Sequence, residues 1–373
     1  MIGEESPGGD SERFASLGGW PGVLATVVGG HSLSEDEAET VLDQVLSGRA
    51  TPAQIAGLAV GLRVKGESIG EMTGFVRAML AHATPLDLPP GMSTVDTCGT
   101  GGDRLHSVNA STMAAIITAA AGIKVAKHGG RASSSSVGAA DVLEALGVAV
   151  DLGPKGVARC ITEVGLGFCF APRFHPAMRF AAPVRRELGV PTVFNYLGPL
   201  ANPARAASQV VGVSDEHMAE KMLKVLAANG TQRAMVVHAE DGLDEISTTG
   251  PTQVHELIRA ADKEPVIYQW ELTPEELKLA PSSLADLRGG DRETNAEAVR
   301  RVLAGDKGPH RDFATVNAAA ALMVAGAVDS MEAGLDLARS VIDDGRAAAT
   351  LADLVRLSRE EASAEAAQEA TAN

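Results

Sequence analysis

The sequence predicts an α/β protein: a small all-helical domain joined to a large α/β domain with a mostly parallel central sheet flanked by helices. Three observations carry this. From Trp20 to about His82, apolar residues recur at helical spacing and no strand-like run appears. After a Pro-rich linker, Pro85 to Pro90, short β-branched runs alternate with Ala-rich stretches, the pattern of parallel strands joined by helical crossovers. The chain has 373 residues, of which 45% are apolar, enough for a core that needs no metal or disulfide staple.

Residues 1–17 are polar and Gly/Pro-rich, and are expected to be disordered. Ser34-Glu-Asp-Glu starts a helix whose Ala38, Val41, Leu42 and Val45 follow a helical period. Thr51-Pro52 starts another, with Pro in its first turn, and Ile69-Gly70-Glu71 leads into a third. The helical domain therefore spans 18–90. Strand-like runs then begin at Thr94–Cys98 and Ile123–Ala126, with helices at 109–121 and 137–146. Further runs are Gly167–Phe170, Gln209–Val213 and Ala234–His238. From about Thr294 the pattern is helical again. The α/β domain is placed at 91–360 and an acidic, fraying tail at 361–373.

Charge narrows the function. The net charge is −16 and aromatics are only 3%, so neither a basic footprint nor a set of base-stacking platforms is evident. No nucleic-acid partner is expected. The start of the chain lacks the apolar core of a signal peptide, and the longest weakly polar helix, Met113–Ala121, is far too short to span a bilayer. Cys98, Cys160 and Cys169 are odd in number and lack metal-ligand spacing. A cytoplasmic protein with reduced thiols and no membrane partner is the expectation.

Three loops carry chemistry. The first runs from Asp96-Thr-Cys-Gly99 through Thr100-Gly101-Gly102-Asp103 to Ser107-Val-Asn109-Ala-Ser111-Thr112, which opens a helix. Glycines let backbone N–H groups approach an anion, and the helix N-terminus adds about half a positive charge. Arg104 replaces the last glycine of a dinucleotide fingerprint, and no Gly-Lys-Ser/Thr follows for a P-loop. Read alone, the loop is also compatible with a tight strand–helix turn. The second loop, Lys127-His128-Gly129-Gly130-Arg131-Ala132-Ser133-Ser134-Ser135-Ser136, again lies between strand and helix, on the same sheet edge. Its cations, glycines and hydroxyls suit a ligand rich in phosphate oxygens, or a solvated turn with Ser caps. The third, Asp241-Gly-Leu-Asp244-Glu245, follows a strand; adjacent carboxylates there suit Mg²⁺ beside a diphosphate, or an ordinary acidic turn.

Beyond these, Ala171-Pro-Arg173-Phe-His175-Pro-Ala-Met-Arg179 and Arg185-Arg186 offer planar forks for a carboxylate. His175 reads equally as a cap or a packed loop residue. Asn195-Tyr-Leu-Gly-Pro-Leu-Ala-Asn202-Pro reads as a hinge or crossover.

In their order and spacing, these segments resemble the anthranilate phosphoribosyltransferase family, from about Ser34 to Leu303. The resemblance implies a helical domain joined to an α/β domain, with helices near 180–205 returning to the helical one, a Mg²⁺ requirement and a homodimer. It implies that Gly99, Gly102, Asp103, Ser107, Asn109, Ala110, Ser111, Thr112, Lys127, His128, Gly129, Gly130, Arg131, Ala132, Ser133, Ser134, Ser135 and Ala139 surround 5-phosphoribosyl 1-pyrophosphate. Ser111, Asp244 and Glu245 would hold the metal. Gly99, Arg185, His128 and His175 would receive anthranilate, with Arg185 at its carboxylate.

The family usually has Asn where this chain has Gly130, a Ser at Ala139 and a small polar residue at Val137. These departures bear on the acceptor more than on the donor. A paralogue using another aryl amine is the alternative, and a non-catalytic nucleic-acid-binding relative of the same fold is a further one. A pyrimidine-nucleoside phosphorylase would carry a Lys-Xaa-Ser-Gly segment, whereas Lys127-His128-Gly129 stands here.

Overall fold

The structure, a computed structural model, describes residues 9–102, 105–131, 137–260 and 263–372. Five helices come first: α1 (Gly9–Ser16), α2 (Gly19–Val28), α3 (Glu35–Leu46), α4 (Pro52–Lys65) and α5 (Ile69–Ala81). The last three start where local chemistry puts them. Ser34, Thr51 and Ser68 each accept the N–H of the residue three further on, whose Glu or Gln side chain returns to the cap N–H. Each such cap is worth about 1 kcal/mol against Ala. Their apolar faces meet in one core containing Leu42, Ile55, Leu58, Met72 and Phe75.

The expected disorder of residues 1–17 needs correcting in part. Residues 1–8 lie outside the described residues, but Gly9–Ser16 is a helix. Phe14 packs edge-on against Trp20 with ring centroids 5.6 Å apart, an apolar anchor within a polar composition.

The sheet has seven strands: β1 (Val95–Gly99), β2 (Val125–Gly129), β3 (Leu166–Phe170), β4 (Ser208–Gly212), β5 (Arg233–Ala239), β6 (Thr252–Ile258) and β7 (Val266–Leu272). Their order is β3-β2-β1-β4-β5-β6-β7. β1 to β5 are parallel, and β6 and β7 add an antiparallel hairpin. The sheet is mostly parallel, as expected; the hairpin is a finding of the structure. Its strands mix charges among apolar residues, because β7 is exposed over most of its length and Glu256 is bound by Trp270 Nε1 at 3.0 Å.

Helices α6 (Ala110–Ala120), α7 (Ala139–Leu146) and α8 (Pro154–Glu163) link β1, β2 and β3. Between β3 and β4 come α9 (Ala171–Phe174), a 3₁₀ turn, α10 (Ala182–Leu188) and α11 (Phe194–Leu200). α12 (Glu216–Ala228) precedes β5, and α13 (Arg292–Leu303), α14 (Pro309–Val324), α15 (Met331–Asp343) and α16 (Arg346–Ala372) close the chain. Val184, Val193, Phe194 and Leu197 of the β3–β4 connection share the apolar core of α3 to α5. The tail expected to fray at 361–373 is instead helical to Ala372. Glu365 accepts the Gly153 N–H at 3.0 and 3.1 Å, placing a carboxylate on the N-terminus of α8, and Glu361 pairs with Arg159. No helix among the described residues is long and apolar enough to cross a membrane.

One topological feature positions the site. The chain runs outward from β1 through β2 to β3, then crosses back to lay β4 on the other side of β1. Where strand order reverses, the loops leaving the carboxyl ends of β1 and β4 diverge and open a crevice.

Candidate active site

A cleft of about 350 Å³ occupies that crevice. Its floor is the loop after β1 (Gly99, Thr100, Gly101), the start of α6 (Ser107, Asn109, Ser111) and the end of β2 (Lys127 to Arg131). Asp244 and Glu245, after β5, close one side, and Arg185, Phe194, Asn195, Gly198 and Pro199 of the β3–β4 connection form the roof.

The acidic loop is pressed against the strand ends. A Cβ on Gly212 would lie 1.6 Å from the Asp244 carbonyl oxygen, and one on Gly99 would lie 2.3 Å from Asp244 Oδ2. Only glycine admits this approach. In return the carboxylates organise the glycine loop and the helix. Gly101 N–H donates to Asp244 Oδ2 at 2.7 Å, and Ser111 N–H donates to Glu245 Oε1 at 3.1 Å. The start of α6 is thus capped by a remote carboxylate. Asn109 gives the helix no side-chain cap: its Nδ2 reaches Val137 O at 3.4 Å, and its Oδ1 is buried with no partner among the described residues.

Lys127 and His128 are buried at 2% and 5% exposure. Lys127 Nζ donates to Thr97 O at 2.5 Å and to Ser111 Oγ at 3.3 Å. Burial pulls the pKa of this ammonium down, and the attraction of Asp96 opposes it. Asp96, fully buried beneath the loop, accepts the His128 N–H at 3.0 Å and Asn202 Nδ2 at 2.7 Å. Asn202 also reaches Ala126 O at 2.8 Å, so the end of the crossover segment is tied to both β1 and β2.

The histidines form a second layer. His128 Nδ1 lies 3.1 Å from Gly198 O, and a carbonyl only accepts, so Nδ1 carries the hydrogen. Nε2 therefore presents a lone pair; it is buried and has no partner among the described residues. His175 stands behind it, ring centroids 5.1 Å apart, with Nε2 bound to Ala201 O at 2.9 Å. Burial lowers the His128 pKa to about 3 and that of His175 to about 4.

Because unfolded imidazole protonates below pH about 6.5, the unfolded state binds more protons than the folded state between that pH and these depressed values. Stability must then fall as pH drops through this window, by about 2 kcal/mol per ring near pH 5. His128→Gln and His175→Gln are each expected to flatten the decline of Tm between pH 7 and 5. An unchanged slope in both variants would show that neither ring is buried in neutral form.

The Arg185 side chain lines the roof with no hydrogen bond or ion pair among the described residues, and burial lowers its pKa. Arg131 is engaged: its guanidinium binds Asp141 at 3.0 Å and Glu144 at 2.6 Å, and lies 5.6 Å from the Phe170 ring centre. Of the remaining expected residues, Ser107, Gly129, Gly130 and Ala139 line the cleft. Gly102, Ala110, Thr112 and His175 do not; Ala110 and Thr112 are fully buried on α6. Asp103 and Ala132, Ser133, Ser134 and Ser135 lie outside the described residues. Sequence reasoning missed Gly138, Phe194 and Gly212. Gly212 alone left a signal, a glycine inside the Gln209–Val213 strand run.

Residues 91–348 match the glycosyl transferase family, a/b domain, and residues 21–83 match the glycosyl transferase family, helical bundle domain. The anthranilate phosphoribosyltransferase of Thermomicrobium roseum is 51% identical over 343 residues, covering 92% of this chain and 98% of that one. That of Salinispora arenicola is 50% identical over 339 residues, covering 89% and 94%. Among solved structures, anthranilate phosphoribosyltransferase from Thermus thermophilus superposes with a TM-score of 0.83 at 42% identity, over 90% of this chain and 99% of that one. The Saccharomyces cerevisiae enzyme in complex with PRPP and Mg does so with a TM-score of 0.80 at 26% identity, over 95% and 99%.

Proposed function

The chain belongs to the anthranilate phosphoribosyltransferases of the glycosyl transferase family, and from that premise we propose how its cleft transfers phosphoribose to anthranilate. The donor is 5-phosphoribosyl 1-pyrophosphate, pyrophosphate is released, and the step belongs to tryptophan biosynthesis. One observation carries the assignment of roles: the glycine loop, Lys127 and the Asp244–Glu245 pair converge at the strand switch point, opposite Arg185.

The donor's phosphates lie along Gly99 to Gly101, Ser107, Asn109 and the loop from Lys127. Asn109 Oδ1, a buried acceptor without a partner among the described residues, suits a ribose hydroxyl. The residues fit Mg²⁺: two adjacent carboxylates and the Ser111 hydroxyl are hard oxygen donors. No cluster among the described residues supplies three carboxylate, His or Cys ligands by itself. That is the pattern of a metal shared with substrate phosphates. When bound, Mg²⁺ stabilises the charge that develops on the departing pyrophosphate.

The anthranilate amine attacks the anomeric carbon as the bond to pyrophosphate oxygen breaks, and the resulting arylammonium then loses its proton to water. Arylammonium is acidic, so no strong base is needed. Arg185 takes the acceptor's carboxylate through its fork. His128 Nε2 accepts an N–H of the amine and aims its lone pair at the ribose. Much of the rate comes from holding the two reacting atoms together. We place the helical unit at 18–90 plus 180–205, the protein in the cytoplasm and its assembly as a homodimer.

A second reading, a paralogue with another aryl-amine acceptor, is favoured by one observation, Gly130. Among the described residues a Cβ built there meets only Ala171 Cβ, at 3.8 Å, and Gly130 is not among the glycines with positive φ. The backbone there and its described neighbours therefore admit a Cβ. Gly130→Asn is expected to tighten anthranilate use several-fold with donor use unchanged, since a neutral hydrogen bond is worth about 0.5–1.5 kcal/mol. Steady-state kinetics with anthranilate and ring-substituted analogues check this. The reading as a whole is tested by pyrophosphate release with different aryl amines; faster release with another amine than with anthranilate would favour the paralogue.

A further inference from the structure

Asn317 lies in the middle of α14 at 2% exposure, and its side-chain amide is committed to the acidic loop. Oδ1 accepts the Ile246 N–H at 2.9 Å, while Nδ2 donates to the Ile246 carbonyl at 3.0 Å and to the Phe313 carbonyl at 2.9 Å. Two opposed bonds to one residue fix both the position and the rotation of its backbone, as pairing between strands does. Ile246 directly follows Glu245. α14 also lies against α6, whose Ser111 N–H is received by Glu245. One helix thus sets both sides of that contact. On the other flank, Asp241 gathers the Leu243 N–H at 3.1 Å and the hydroxyls of Ser247 and Thr249.

We propose that Asn317 is a positioning residue for metal binding: by clamping the Ile246 backbone to α14 it holds the Asp244–Glu245 carboxylates at the spacing a divalent cation needs. The inference rests on the metal assignment above and deepens it. Without the clamp the loop keeps its sequence and charge but loses a fixed geometry. Partners that orient metal ligands are typically worth about 10- to 100-fold in metal affinity.

The test is direct Mn²⁺ binding to the full chain in the presence of pyrophosphate, read by electron paramagnetic resonance, beside Tm and the KM for anthranilate. Asn317→Ala removes all three bonds, and Asn317→Leu removes them while keeping the side-chain volume. Ala318→Gly loosens the same helix without touching Ile246. Both Asn317 variants are expected to weaken Mn²⁺ binding about 10-fold or more, with the KM for anthranilate unchanged and Ala318→Gly binding as wild type. Wild-type Mn²⁺ binding by either Asn317 variant, or an equal loss in Ala318→Gly, overturns the proposal. Asp244→Ala with Glu245→Ala separates the two claims. If this double variant also binds Mn²⁺ normally, the metal assignment has failed and the inference falls with it. If it does not bind and the Asn317 variants do, the inference alone falls.

Discussion

Replacing Asp244 and Glu245 together by Ala is expected to reduce turnover on the order of 10³-fold or more at saturating Mg²⁺, with the protein still folded. The carboxylates have two duties. Each holds a backbone N–H, of Gly101 and of Ser111, and together they supply the only adjacent pair of acidic residues lining the cleft among the described residues. A variant that keeps the first duty isolates the second. Asp244→Asn with Glu245→Gln retains an acceptor oxygen for each N–H but removes both charges. It should keep Tm closer to wild type than the Ala pair does, yet lose nearly as much activity. Near wild-type turnover in either pair would reduce the loop to a surface turn that happens to face the cleft.

Arg185→Ala is the second large effect. The guanidinium is half-buried in the roof, carries no ion pair among the described residues, and is desolvated enough to lower its pKa. Holding an unpaired cation there costs stability, which an incoming carboxylate offsets. A hydrogen bond to a charged group is worth about 1.5–3 kcal/mol, so the KM for anthranilate should rise by roughly 10- to 100-fold. The KM for the phosphoribosyl donor should hardly change. Equal effects on both substrates would assign Arg185 to the packing of α10 rather than to the acceptor.

What is legible in the sequence follows from physics that is local. The capping boxes at Ser34 and Thr51 start α3 and α4 at the positions read from sequence, because both partners of each box lie within three residues. The parallel strands are visible as apolar runs because both faces of the sheet are covered. The β6–β7 hairpin is not, because β7 is exposed over most of its length and β6 carries Glu256, whose partner Trp270 lies on the neighbouring strand. The cap on α6 escapes a local reading: the Ser111 N–H is received by Glu245, and the two are far apart along the chain. Composition alone makes the acidic tail look frayed, yet Glu361 and Glu365 answer Arg159 and the Gly153 N–H, a complementarity that emerges only when α16 lies on α8. In the site, residue types in the glycine and Lys127 loops are legible. The Asp96–Asn202 tie and the Asn317 clamp are not, since a buried Asn leaves no local pattern.

The most direct test of the account follows the fluorescence of anthranilate mixed with the purified protein and 5-phosphoribosyl 1-pyrophosphate. The expected result is a change marking formation of phosphoribosylanthranilate that requires donor, protein and Mg²⁺ together, stops on chelation of the metal, and returns when the metal is restored. No transfer to anthranilate under these conditions, with another aryl amine consumed readily, would contradict the acceptor assignment and leave a phosphoribosyltransferase of different specificity.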